Sequence, residues 1–153
     1  MKLPQTIIAA TEEIFSTMVD MEIESMPALD EHVTTFRESV SGMVGLAGSC
    51  RGLLAIHVPN PVAKAVTGNF LGLEVEEIDE DVKDAIGELA NMVAGGIKAA
   101  LSDGGKDIKM SIPSTVSGEE YSMEYSNDGE GVTVPFNCSA GRFLISLQLQ
   151  RDL

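Results

Sequence analysis

DEDVKDAIGELANMVAGGIKAAL, residues 79–101, reads as one long amphipathic helix, and the rest of the chain is arranged around that reading. Asp79 is placed to cap it, Asp81 and Asp84 lie in its first turns, and Gly104 and Gly105 follow as stop signals. On a wheel of 3.6 residues per turn, Val82, Ile86, Leu89, Val93, Ile97 and Ala100 form an apolar stripe. Asp84, Glu88, Asn91, Gly95, Lys98 and Ser102 form the polar one.

Glu88 and Asn91 are three residues apart, so their side chains project from adjacent turns into one small volume outside the helix. Asparagine is a poor helix former whose amide offers an acceptor and two donors, while the carboxylate of Glu88 can meet a cation or a water. Such a pair can hold a water molecule but does not make a nucleophile. Gly95, one turn further along the same face, costs about 1 kcal/mol relative to alanine and removes a side chain that would obstruct a docking partner. By spacing alone, a solvated helix face would carry the same residues.

The chain of 153 residues is 44% hydrophobic and 22% charged, which suits a single domain spanning 1–153 with one well-buried core. Its 24 acidic and 10 basic residues give a formal charge of -14, which argues against nucleic acid or an anionic membrane as partner and points to another protein. The acidic run from Glu74 to Asp81 reads as a solvated segment. No leader-like segment opens the sequence, and no apolar run approaches the roughly 20 residues that span a bilayer, so a cytoplasmic protein is expected. Cys50 and Cys138 read as free thiols, and His32 and His57, with no ligand at metal-binding spacing, read as structural. Neither a metal nor a cofactor site is indicated. No GxxxxGK[ST] or GxGxxG motif and no Cys/His pair supports a small-molecule enzyme.

Other elements follow from the same rules. Helical spacing predicts a first helix over about Pro4–Asp20, then a looser stretch from Met21 to Arg37. Val40–Leu46 and Arg51–Val58 form a hairpin about Gly48 and Ser49. Asn60 and Pro61 serve as cap and first turn of a helix that reaches Phe70 and stops at Gly72. Ile108–Ile112 is a short strand, Ser117–Gly131 is turn-rich, and Gly131–Phe136 and Arg142–Leu149 are strands. The expected class is α/β (α+β), an antiparallel-rich sheet with long helices packed on it. Glu13–Val19 aligns with Glu88–Val93, and Arg51–Val58 with Gly141–Gln148, which suggests two pseudo-repeated halves. Glu13 and Ser16 would then be a degenerate counterpart of Glu88 and Asn91.

Asp84, Glu88 and Asn91 in a DxxxExxN helix, Pro113 beyond them, the PSTVSG segment Pro113–Gly118, and the helix around Ala10, Thr11, Phe15, Thr17 and Met18 resemble the CheC, CheX and FliY family of chemotaxis phosphatases. The resemblance spans nearly the whole chain and is greatest to the CheX branch, because only one ExxN helix is intact. Asn91 to Pro113 is one residue shorter than the family pattern. The resemblance implies hydrolysis of the aspartyl phosphate of a CheY-like response regulator, with Asn91 orienting the water and Glu88 engaging a lysine of the regulator. Mg2+ and an acidic pocket would belong to that partner, leaving this chain with little to supply beyond positioning. Asp84, Gly95 and Lys98 would border the contact. A homodimer sharing strands is also implied, with Gly118–Gly131 as the place of exchange. A noncatalytic module that binds a regulator or flagellar switch component through the same helix is the competing reading.

Overall fold

The computed structural model describes residues 3–101, 105–125 and 129–151. The elements run α1 (Leu3–Ile14), a π-helical turn (Phe15–Val19), β1 (Glu24–Ser25), β2 (Thr35–Gly48), β3 (Cys50–Pro59), α2 (Asn60–Leu71), α3 (Glu80–Ala100), β4 (Ile108–Met110), β5 (Ser114–Ser122), β6 (Glu130–Cys138) and β7 (Gly141–Arg151). All paired strands are antiparallel, in the order β1-β6-β7-β3-β2-β4, with β5 following β4 along the same side of β2.

Strand alternation separates two chemistries across this sheet. Val40, Val44, Leu54, Ile56, Val134 and Ile145 are fully buried and belong to the core that the helices cover. Between them on the same strands, Ser41, His57, Thr133, Ser146 and Gln148 turn to the opposite face and are buried too. Their polar atoms are satisfied by one another and by segments folded over that face. Ser41 Oγ lies 2.7 Å from His57 Nδ1 and 2.8 Å from the Tyr121 hydroxyl, and His57 Nε2 lies 2.8 Å from the Tyr125 hydroxyl. His32 stacks on Tyr125 and bonds Thr133 and Gln148. Both histidines are thus held in a hydrogen-bonded lattice.

The predicted hairpin is present and longer at both ends than the apolar pattern showed, and β6 and β7 fall where expected. Three local expectations are corrected. The first helix changes to π geometry at Phe15 and ends at Asp20, whose φ of 54° turns the chain. Asn60 does not cap α2: Pro59 occupies that position without a side-chain bond, and Asn60 Oδ1 is buried without a partner. The stretch expected to be turn-rich from Ser117 begins instead inside β5, which pairs with β2 from Thr35 to Met43. Its residues 126–128 lie outside the described residues. Among the described residues no helix is long and apolar enough to cross a membrane. Cys50 is buried, Cys138 half-buried, and both are free thiols.

Candidate functional site

α3 is positioned by its sequence at both ends. Asp79 Oδ1 accepts the Val82 N–H at 3.1 Å, the cap that the sequence predicts, and Lys98 stands in the last turn, where a cation suits the helix dipole. The helix closes at Ala100 with Leu101 as its C-cap, and Ser102 and Gly104 lie outside the described residues. Gly105, with a φ of 82°, then folds back against Lys98 so closely that a Cβ there would stand 2.5 Å from the Lys98 carbonyl oxygen. Val82, Ile86, Leu89, Val93 and Ile97 are completely buried, as their stripe predicts. Ala100 is exposed, and Leu101 continues the buried face in its place, because the helix is ending there.

Two neighbours grip α3 from either side. At Gly96 a Cβ would lie 3.0 Å from Ala10 Cβ of α1, and at Gly87 a Cβ would lie 3.1 Å from Thr115 Cγ2 of β5 and 3.6 Å from Pro113 Cβ. Between these flanks the helix is open. Asp84 and Glu88 are exposed, Asn91, Gly95 and Lys98 are half-buried, and nothing lies within 4 Å of where a Gly95 side chain would begin. Among the described residues, no hydrogen bond or ion pair engages the side chain of Glu88 or Asn91. The fold therefore presents a carboxylate and a carboxamide one turn apart on a rigid helix, accessible and uncommitted, with a bare backbone position alongside. That arrangement can orient a water or meet a cation of a docking partner; by itself it offers no nucleophile.

The pair expected as a degenerate counterpart, Glu13 and Ser16, is built differently. Ser16 lies within the π-helical turn, and its hydroxyl donates to the Glu13 carbonyl at 3.1 Å, so its one donor is engaged locally. Glu13 is exposed.

Comparison with known proteins decides the family. The family model described as chemotaxis phosphatase CheX matches residues 40–137, close to two thirds of the chain. The chain belongs to the CheX family. The CheY-P phosphatase CheX of Thermotoga maritima is 26% identical over 125 residues, covering 80% of both chains. A crystallised chemotaxis protein CheX from Desulfovibrio desulfuricans is 26% identical and superimposes with a TM-score of 0.86, over 98% of this chain and all of that one. The CheX of Borrelia burgdorferi, solved in a complex with CheY, BeF3 and Mg2+, shares the fold with a TM-score of 0.80 at 23% identity, covering 98% of this chain and 99% of that one. The antiparallel sheet with helices packed on it is thus the family fold.

Proposed function

We propose that this CheX-family chain is a phosphatase for the aspartyl phosphate of a CheY-like response regulator, and that Glu88 and Asn91 are the residues it inserts into the regulator's active site. The observation that carries the reading is the uncommitted Glu88 and Asn91 pair on the open face of α3, in a chain whose Thermotoga relative is a CheY-P phosphatase. Asn91 uses its amide to hold a water in line with the phosphorus. That water attacks, the bond between phosphorus and the acyl oxygen breaks, the regulator's aspartate leaves as a carboxylate, and inorganic phosphate is released. Glu88 accepts a hydrogen bond from a lysine of the regulator and fixes the register of the two proteins.

An acyl phosphate is already reactive, so placing one water is a sufficient contribution, and general acid, nucleophile and metal need not come from this chain. Mg2+ belongs to the regulator, in keeping with a Borrelia relative whose complex holds CheY, BeF3 and Mg2+. Asp84, Gly95 and Lys98 border the docked partner. The outer edge of β5, largely exposed and, among the described residues, paired only to β2, supports a homodimer joined by strand pairing in one 153-residue domain. Glu13 and Ser16, as the counterpart of the site in a pseudo-repeated first half, take no part in hydrolysis.

The test is the lifetime of phosphate on a CheY-type receiver domain with and without the protein. Acceleration is expected, and Asn91→Ala should remove it by at least about a hundredfold while leaving complex formation with the receiver within a fewfold. A complex that forms without any faster hydrolysis would assign the chain to the noncatalytic binding modules instead.

A further inference from the structure

We infer that Ile112 is an apolar anchor of the regulator-docking surface, carried on the link that meets α3 at Gly87; the inference deepens the phosphatase reading and rests on it. Ile112 is 85% exposed, the most exposed of the large hydrophobic side chains among the described residues, ahead of Leu73 at 52%. A single surface isoleucine needs no explanation in general. This one is distinguished by where and how it is held.

Ser111 before it is pinned to β2 twice: its N–H donates to the Gly45 carbonyl at 2.9 Å, and its Oγ accepts the Gly45 N–H at 2.8 Å. The same hydroxyl also meets the Ile112 carbonyl at 3.0 Å. Pro113 after it fixes its own φ and packs on α3 at Gly87, the residue preceding Glu88. The isoleucine is thus carried on a tethered link between β4 and β5 that meets α3 at Gly87, in the same stretch of helix as Asp84, Glu88 and Asn91. Its side chain is β-branched and has few rotamers to lose, so burying it against a partner is entropically cheap.

Charge supplies the second argument. The chain carries a formal charge of -14, and the face around Glu88 adds Asp84 against one Lys98. A receiver domain's phosphorylation pocket is acidic by its own chemistry, since it must hold Mg2+ with carboxylates. Two acidic surfaces gain little from long-range attraction, so the affinity must come from desolvating apolar area near the point of insertion. Ile112 provides that area at the site's border.

The experiment uses the full chain and a CheY-type receiver domain. Binding is measured with the receiver loaded with BeF3 and Mg2+, and turnover with the phosphorylated receiver. Ile112→Glu should raise both the Kd and the KM about tenfold or more, with kcat within about twofold, and Ile112→Val should bind like the unmodified chain. Thermal midpoints should be unaltered, because the side chain supports nothing inside the protein. Unchanged Kd and KM overturn the inference, as does a fall in kcat at constant KM. A shift in the mass of the assembly with receiver affinity unchanged also overturns it, by assigning Ile112 to a contact between copies. The phosphatase reading fails separately: a receiver that binds, weakens with Ile112→Glu, yet never loses phosphate faster would leave the anchor standing and remove the catalysis.

Discussion

A Cβ atom on Gly42 would stand 2.9 Å from the carbonyl oxygen of Ile86 and 3.2 Å from Ala90 Cβ, so β2 and α3 meet here without an intervening side chain. Ile86 lies two residues before Glu88, and Ala90 directly precedes Asn91. The depth at which the helix rests on the sheet, and with it the height of the reactive pair, is set at this contact.

Gly42→Ala is therefore expected to be destabilising, by about 1–3 kcal/mol, even though alanine is the better strand residue in the abstract. The obstructing atom is backbone and cannot rotate away, so α3 must lift. Chemical denaturation measures the loss, and phosphatase turnover should fall with it because Glu88 and Asn91 are carried on the displaced turn. An unaltered denaturation midpoint would mean that the helix accommodates the methyl without moving.

Adjacent glycines on α3 should respond in opposite directions. Gly95 has open space where its side chain would be, so Gly95→Ala is expected to stabilise the protein by about 0.5–1 kcal/mol through helix propensity while weakening receiver binding at the bare position. Gly96→Ala must push against Ala10 Cβ at 3.0 Å, which offsets the propensity gain and should leave stability level or lower. Thermal melts of the two variants side by side check the sign of the difference.

The cap of α3 yields a smaller effect with a built-in control. Asp79→Ala removes the acceptor for the Val82 N–H and should cost about 1 kcal/mol, whereas Asp79→Asn keeps an oxygen in place and should retain most of that stability. Equal losses in the two variants would show that the carboxylate's charge near the helix start, rather than the hydrogen bond, is what matters.

Legibility in the sequence followed burial. α3 was readable because Asp79 opens it and Val82, Ile86, Leu89, Val93 and Ile97 repeat with its period, and that same period placed Glu88 and Asn91 outside. β2, β3, β6 and β7 were readable because each has an apolar face turned to the helices. β5 was not, since its residues are mostly exposed and it is held by backbone pairing to β2, which needs no hydrophobic alternation. The π-helical turn was hidden because Phe15 and Val19 are both buried, as an ordinary helix would bury residues four apart. Ile112 misled for the converse reason: Ile108, Met110 and Ile112 alternate as a strand should, but pairing ends at Met110 and the chain turns Ile112 outward. The lattice around His57 depends on Tyr121 and Tyr125, more than sixty residues away, a distance that no local pattern encodes.

That lattice sets an acid limit on stability. Burial, reinforced by the nearby His32, pushes the His57 imidazole down from its ordinary 6.5 to about 3. The folded protein thus keeps His57 neutral at pH 5, while the unfolded chain takes up a proton below pH 6.5. Because the unfolded state then binds more protons, stability is fully present above the unfolded value and is lost as pH falls through the window from 6.5 toward 3. One proton corresponds to a slope of about 1.4 kcal/mol per pH unit, which should be visible in denaturant midpoints between pH 6 and 5, above the range where most carboxylates titrate. His57→Gln should flatten that slope, though it lowers stability at pH 7 by disturbing the bonds to Ser41 and Tyr125. A variant that retains the slope would place the proton uptake elsewhere.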